Sequence, residues 1–186
     1  MSRIDNLVTN YRRHVSLPLR PERSLNQRVW FVVYEPDDER RMLMRIPEFE
    51  LATRDAGLHW RPISFAGFLA AWLDTFDPDE RQMCLDEPAL VEGYADPGFI
   101  EFLVNQATAV IDAVPEAERD KTVFAVTGLM ELYDFVHVSA LIEKLPASTP
   151  GVVLLFFPGE REGNTYRFLG ARTGWDYLAV PILAEA

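Results

Sequence analysis

The chain alternates between short runs of consecutive apolar residues and longer segments in which apolar residues recur every three or four positions. Continuous runs occupy Val29–Tyr34, Thr122–Val126 and Val152–Phe157. Short apolar runs between turn residues are typical of strands buried on both faces. The alternation of these strands with helical segments predicts a single α/β domain over residues 1–186. We expect a mostly parallel central sheet with helices on both faces, either Rossmann-like or degenerate P-loop-like.

Two of the helical segments have features that the sequence specifies closely. Ser2 is predicted to cap the first helix. The apolar residues of that helix follow helical spacing at Ile4, Leu7, Val8, Tyr11 and Val15. A later helix across residues 38–56 contains Pro47, which removes one backbone hydrogen bond. Because apolar spacing continues from Leu43 to Ala52, we predict that the helix kinks there and does not end.

The periodicity fades between residues 77 and 98, where acidic residues and prolines predominate. We interpret 77–98 as a mobile acidic insertion that contains one short helix near Arg81–Leu85. Ser64 is predicted to cap a helix before this insertion, and Asp96-Pro97 to begin one after it. No internal repeat is evident in the sequence.

Composition narrows the functional classes. The 186 residues are 48% hydrophobic and 25% charged, which is typical of a globular protein. A formal net charge of -11 disfavours direct nucleic-acid binding, because such a surface repels phosphates. The charged N-terminal residues and the absence of a long apolar run predict no membrane segment, and a single cysteine, Cys84, excludes an internal disulfide. We expect a cytoplasmic protein.

Motifs for catalysis are missing from the sequence. Neither Tyr34–Asp38 nor Thr127–Glu131 has the glycine-rich spacing of a phosphate-binding loop, and no Gly-x-Ser-x-Gly occurs. The carboxylates of Glu35, Asp37 and Asp38 follow a strand and could bind a hard cation, but we favour a solvated turn and helix N-terminus, where acidic side chains suit the helix dipole. We predict no catalytic residue, no metal site and no cofactor. The alternatives are a degenerate nucleotide-binding regulatory domain and a cation-dependent phosphoryl-transfer enzyme.

The working surface is predicted after the strand Val152–Phe157, which Pro158-Gly159 closes, since loops at the carboxyl ends of parallel strands carry function. The loop from Pro158 to Asp176 mixes arginine with aromatic residues, the types enriched at interaction hot spots. The predicted partner-binding residues are Arg161, Asn164, Tyr166, Arg167, Arg172 and Trp175. Two alternatives stay open: the arginines form internal ion pairs, or the aromatic residues pack beneath their own loop.

Five stretches of the sequence carry a resemblance to a known family: Arg28–Tyr34, Glu48–Arg54, Phe156–Glu160, Asn164–Arg167 and Gly174–Pro181. Together they resemble the BrxB family, whose members are small proteins of BREX (bacteriophage exclusion) gene clusters. The resemblance implies a role in phage defence beside a methyltransferase, large ATPases and the alkaline-phosphatase-like protein PglZ. It also implies association with PglZ. We therefore expect a non-enzymatic adaptor that binds a PglZ-like protein and other BREX components.

Overall fold

A computed structural model shows which segments form helices and strands. It describes residues 2–19, 24–133, 135–145, 149–169 and 174–185, with the backbone alone at 25 and 92–97. The strands are β1 (Val29–Tyr34), β2 (His59–Ser64), β3 (Thr122–Thr127), β4 (Val152–Glu162), β5 (Thr165–Phe168), β6 (Trp175–Asp176) and β7 (Val180–Ile182). The α-helices are α1 (Arg3–Val15), α2 (Leu25–Arg28), α3 (Glu39–Asp55), α4 (Phe68–Leu73), α5 (Pro78–Asp86), α6 (Ala89–Asp112), α7 (Glu116–Arg119) and α8 (Val138–Lys144). Short 3₁₀ helices cover Pro36–Asp38 and Leu129–Leu132.

The central sheet is mostly parallel, which confirms the predicted fold class. Neighbouring strands follow the order β2-β3-β4-β1-β7, and every pair along this path is parallel. In the middle of the sheet, β1 is buried along its whole length, and its Trp30 lies opposite Leu154 of β4. Continuous apolar runs mark these strands because both of their faces are covered.

Helices pack on both faces of the sheet. Helices α1 and α3 cover one face, which we call the α1/α3 face. They pack there on Trp30, Val32 and other residues at alternate positions of β1 and β4. Helices α4, α6 and α8 cover the opposite face, which we call the α6/α8 face, and share a core there with Phe31 and Phe157. Successive strand residues point to opposite faces, so each continuous apolar run supplies both cores at once.

Both outer strands of this path contain a proline. Pro62 of β2 is the register partner of Ala125, and Pro181 of β7 is the register partner of Phe31. Proline lacks a backbone N–H and is tolerated in a strand where its nitrogen faces away from the neighbouring strand. Each open edge of the sheet therefore lacks one hydrogen-bond donor.

Helix α1 has the boundaries and the buried face that its sequence predicts. The Ser2 hydroxyl accepts a hydrogen bond from the Asp5 N–H at 3.1 Å, and the Asp5 carboxylate accepts one from the Ser2 N–H at 2.8 Å. This reciprocal capping box satisfies two donors at the helix start. The buried residues are Ile4, Leu7, Val8, Tyr11 and Val15, as predicted.

Helix α3 continues through Pro47, which confirms that this residue does not end the helix. The apolar spacing predicts Leu43 on the buried face of this helix, and this was wrong, because its side chain is 44% exposed. Met42 and Phe49, seven residues apart, instead define the face that packs on the sheet. Leu43 lies about 100° around the helix from Met42 and so points away from the core.

Two predicted helix starts were wrong. The residue that caps the start of α4 is Gly67, with a φ of +75°, and not Ser64 as predicted. Helix α6 begins at Ala89, well before Asp96-Pro97. Val91 and Phe99 are both buried in the α6/α8 core, and residues eight apart share one face of a helix, so packing holds the helix together across the proline. The acidic segment 77–98 thus contains α5 and the start of α6, and its mobility stays a prediction.

Candidate functional site

The segment after Phe157 is a β-hairpin, and its prediction as a loop was wrong. Strand β4 runs on through Pro158-Gly159 to Glu162 and pairs antiparallel with β5, which pairs with β6. Gly159 does not form a turn. A Cβ atom at Gly159 would overlap the backbone oxygen of Arg167, so glycine lets the two strands approach closely. The turn lies at Gly163, which has a φ of +61°.

The register of the hairpin divides its residues between two faces. Arg161 lies opposite Tyr166, and Tyr166 lies opposite Trp175. Residues directly opposite each other across strands share a face, so these three side chains form one row, which we call the inward row. Arg167 lies opposite Glu160 and belongs to the other, outward face.

The outward face is polar and pairs its own charges. Arg167 Nη2 lies 3.6 Å from Glu162 Oε2. The Thr165 hydroxyl donates to Asp176 Oδ1 at 2.6 Å. Exposed pairs of this kind contribute little to folding, so these side chains can pair with charged groups on another protein instead.

The inward row packs on the α6/α8 core. Tyr166 is 0% exposed, and its ring centroid lies 4.6 Å from that of Phe31. The Arg161 Cζ atom lies 5.8 Å from the centroid of the Tyr166 ring. Burial raises the pKa of the Tyr166 hydroxyl, and the positive charge of Arg161 and its polar contact with this hydroxyl offset only part of this effect.

Every member of the inward row has a buried polar atom without a hydrogen-bond partner among the described residues. These atoms are Arg161 Nε, Tyr166 Oη and Trp175 Nε1. Buried polar groups in folded proteins are almost always hydrogen-bonded, so three such atoms side by side are exceptional. Of the three atoms, the Tyr166 oxygen can both donate and accept, whereas the Arg161 and Trp175 nitrogens can only donate.

Comparisons with models of known protein families, with curated proteins and with solved structures found no match to this chain. The activity of the hairpin is therefore inferred from its own residues. In the described ranges, no helix combines the length and the apolar character needed to cross a bilayer.

The structure separates the six predicted partner-binding residues. Arg161, Tyr166 and Trp175 come together in the inward row, although Tyr166 is buried and cannot be a surface contact. Asn164 is exposed in the hairpin turn, and Arg167 lies on the outward face. Arg172 falls outside the described residues.

The hairpin rises from the carboxyl edge of the parallel sheet, where the chain after β1 leads to one face and the chain after β3 leads to the other. Crevices at such switch points are common binding sites in α/β proteins. A shallow pocket of about 300 Å³ opens there, and its lining includes Arg3, Glu35 and Arg161. Arg3 and Glu35 form an ion pair at 3.1 Å. Arg161 thus connects the inward row to solvent.

Two of the three carboxylates considered for a cation form ion pairs with arginines. Glu35 pairs with Arg3, and Asp38 lies 3.0 Å from Arg41. No group of three potential metal-ligating side chains occurs within the described parts of the chain. The glycine at position 128, which follows β3, is required by close packing, since a Cβ atom there would lie 2.6 Å from the backbone nitrogen of Ala66.

Sequence reasoning missed a second polar cluster at the same edge. The Tyr34 hydroxyl donates to Glu39, and Glu131 accepts a hydrogen bond from the Gly67 N–H at 2.7 Å. Burial, followed by the charge of Glu131, raises the pKa of Glu39, and the Tyr34 hydrogen bond opposes this rise. The sequence signal for this cluster was Tyr34 at the end of a strand, five residues before Glu39. The approach of Glu131 depends on the fold.

Proposed function

We propose that this chain is a non-enzymatic adaptor in a cytoplasmic BREX-type anti-phage complex and that it binds a PglZ-like protein through its β4–β5–β6 hairpin. The observation that supports the proposal is the outward face of the hairpin, where the Arg167 side chain is 42% exposed and Asn164 is exposed in the turn. Arginine is one of the residue types enriched at interaction hot spots.

The resemblance to the BrxB family supports the choice of partner. Three of its stretches, Phe156–Glu160, Asn164–Arg167 and Gly174–Pro181, fall within β4, the hairpin and the approach to β7. The most specific part of the resemblance and the unusual chemistry therefore coincide in one region of the molecule. This coincidence favours a binding role for the hairpin over a purely structural one.

The test uses a charge reversal on the outward face. Arg167→Glu should weaken binding to the PglZ-like protein about tenfold or more, because a reversed charge at an interface adds repulsion where a favourable pair was. Its melting temperature should stay nearly unchanged, since Arg167 makes only an exposed ion pair. Binding is measured by calorimetry, and melting is measured on the same preparation.

A matched control lies on α3. Arg54 is also exposed and forms a surface pair with Glu50 at 2.7 Å, far from the hairpin in sequence. Arg54→Glu should leave partner affinity unchanged. Equal affinities for wild type and both variants would move the interface away from the hairpin, and the acidic segment 77–98 would be the next surface to test.

The adaptor is proposed to have no catalytic role and no direct hold on DNA. The net charge of -11 offers few sites for replacing phosphate counterions, so its partners would contact the DNA. Tight binding of the isolated chain in a mobility-shift assay would contradict this. A rise in melting temperature with ATP, GTP, magnesium or manganese would favour the nucleotide-binding or cation-dependent alternatives, because a ligand specific to the folded state stabilises it.

A further inference from the structure

Helix α3 is apolar on two opposite faces. Its buried residues, Met42 and Phe49 among them, pack on the sheet. A surface helix normally has a polar outer face, and a helix that is apolar all round is normally buried. The outer face of α3 has the composition of a covered surface, because four of its exposed residues are apolar. The exposed residues are Arg40, Arg41, Leu43, Met44, Pro47, Leu51, Arg54 and Asp55.

The four exposed apolar residues form one continuous stripe, which we call the outer stripe. Leu43, Pro47 and Leu51 are four residues apart in turn, and Met44 lies beside them on the same side of the helix. With about 100° between successive residues, the stripe is centred roughly opposite Phe49. Met44 is 73% exposed, Leu51 is 53% exposed and Leu43 is 44% exposed. Contiguous apolar patches of this kind mark interaction sites.

A pocket of about 490 Å³ adjoins the outer stripe between the start of α1 and α3. Ile4 and Met44 are its apolar lining residues, so it offers room for an apolar side chain next to the stripe. Asp38, the acidic residue of this lining, already pairs with Arg41 at 3.0 Å. The lining residues are Ser2, Arg3, Ile4, Asp38, Arg41, Met44 and Arg45.

Arginines lie at both ends of the outer stripe. Arg40 and Arg54 are each seven residues from Pro47, which places them about 21 Å apart along the helix. Arg54 forms an exposed pair with Glu50 at 2.7 Å, and such a pair can exchange with charges on another protein. The exposed charges of α3 are three arginines and one aspartate. A complementary surface therefore has carboxylates at both ends of an apolar stripe.

The same charges disfavour a second copy of this chain on the outer stripe. Antiparallel packing of two α3 helices centred on Pro47 sets Arg40 of each copy against Arg54 of the other. Parallel packing sets each arginine against its own counterpart. Like charges that face each other across an interface oppose binding. An anionic membrane surface is disfavoured too, because the net charge of the chain is -11.

We propose that the outer stripe of α3 docks an amphipathic α-helix of another protein, whose apolar face carries aspartate or glutamate at both ends, about four turns apart. The docked helix packs on Leu43, Met44 and Leu51, a common mode of helix recognition. The inference goes beyond the proposed function and does not depend on it. The stripe lies on the α1/α3 face, whereas the hairpin packs on the α6/α8 core, so the two surfaces take different proteins.

The probe is a synthetic peptide of about 20 residues, long enough to form a helix in water. It has leucines along one face and a glutamate at each end of that face, fourteen residues apart. A matched peptide has lysine at those two positions. In fluorescence anisotropy at physiological salt, the glutamate peptide should bind at least about tenfold more tightly. The net charge of -11 favours the opposite order, so equal binding or a preference for lysine overturns the proposal.

Substitutions in the chain test where the peptide binds. Leu43→Gln/Leu51→Gln should weaken binding of the glutamate peptide about tenfold or more, because it removes apolar contact area. The melting temperature should stay near that of wild type, since both leucines are exposed and glutamine is a good helix former. Leu85→Gln is the matched control, because Leu85 of α5 is 59% exposed. Wild-type affinity in the double variant, or an equal loss in the control, overturns the proposal.

Charge reversal tests the chemistry of the docked helix. Arg40→Glu/Arg54→Glu should reverse the preference, so that the lysine peptide binds more tightly than the glutamate peptide. An unchanged preference overturns the assignment of an acidic partner. Because no arm uses the PglZ-like protein, failure of the hairpin proposal leaves this result unaffected.

Two further measurements test the other occupants of the outer stripe. In sedimentation velocity the free chain should remain monomeric. In flotation with vesicles of phosphatidylglycerol and phosphatidylcholine it should stay unbound. Self-association or vesicle binding that Leu43→Gln/Leu51→Gln abolishes would assign the stripe to a second copy or to a membrane, and either result would overturn the proposal.

Discussion

Two buried tyrosines on opposite faces of the sheet differ in one respect. Tyr11 on the α1/α3 face and Tyr166 on the α6/α8 face are both 0% exposed. The Tyr11 hydroxyl lies 2.5 Å from Thr53 Oγ1, whose own hydrogen goes to the Phe49 carbonyl at 2.8 Å, so Tyr11 is the donor. The Tyr166 hydroxyl has no such partner in the described structure.

The tryptophans repeat the contrast. Trp30 donates its indole N–H to a backbone carbonyl beside α1, whereas Trp175 in the hairpin leaves the same atom unpaired within the described residues. On the α1/α3 face, Tyr11 and Trp30 thus both have hydrogen-bond partners among the described residues. The hairpin is held by packing, whereas the buried polar atoms of its inward row make no hydrogen bond of regular geometry in the described structure.

The largest expected effect comes from a substitution that disrupts the hairpin and leaves the α1/α3 face unchanged. Gly159→Ala places a methyl group against the Arg167 backbone and 2.7 Å from the Phe157 ring, so β4 and β5 must separate. We expect a loss of roughly 2–3 kcal/mol in the free energy of unfolding and loss of partner binding. Urea denaturation measures the first quantity. Gly163→Ala is the control, with open space but a φ of +61°, and should cost about 1 kcal/mol. Equal costs would contradict a tight strand pair at Gly159.

The next effect sharpens the comparison of the tyrosines. Tyr11→Phe removes a satisfied hydrogen bond and should lower the free energy of unfolding by about 1 kcal/mol. Tyr166→Phe removes an unsatisfied hydroxyl and should cost nothing or stabilise slightly. The difference between their urea midpoints is the measurement. A larger stability loss in Tyr166→Phe than in Tyr11→Phe would reverse the comparison.

The smallest effect is a pH dependence on the α1/α3 side. Hydrogen bonds from the Ser2 backbone and from Arg45 lower the pKa of Asp5 from 3.8 to about 2. Between these pH values the unfolded chain binds more protons, so stability falls as the pH drops through this interval. Asp5→Asn should flatten the dependence of the melting temperature on pH there. An unchanged slope in the variant would show that Asp5 titrates alike in both states.

Glu39 should act in the opposite direction at the carboxyl edge. Burial raises its pKa, so the folded chain holds this proton to higher pH than the unfolded chain does. Its contribution to stability is present at low pH and declines as the pH rises above the ordinary value of 4.5 through the raised one. Glu39→Gln should remove this decline. A melting curve that falls equally with pH in both proteins would assign the decline to other groups.

Most of the central fold could be predicted from local pattern. The buried runs at β1, β3 and β4, and the cap and spacing of α1, each contain their signal within a few residues. The start of α6 could not, because packing of Val91 on the core overrides the local signal of Asp96-Pro97. Propensity is weak beside such tertiary contacts.

The segment of the candidate site was predicted to be a loop, and the structure shows a hairpin. Pro158-Gly159 resembles a turn, and this signal hid the alternation from Gly159 to Phe168 and the Gly163-Asn164 turn that indicate a hairpin. The arginine and aromatic composition was the signal for a binding role in this segment, and that role stays a prediction. Which residues share a face depends on strand register, and register is set by the close contact at Gly159 and by packing of Tyr166 on the core.

The prolines of the outer strands also matter for how the protein behaves at high concentration. Open strand edges are where folded chains recruit one another into fibrils, and Pro62 and Pro181 interrupt the ladder on either side. Addition of strands from further copies is therefore blocked at both of these edges. A concentrated solution of this acidic protein should resist fibril formation on long storage, and dyes that report cross-β structure should remain dark.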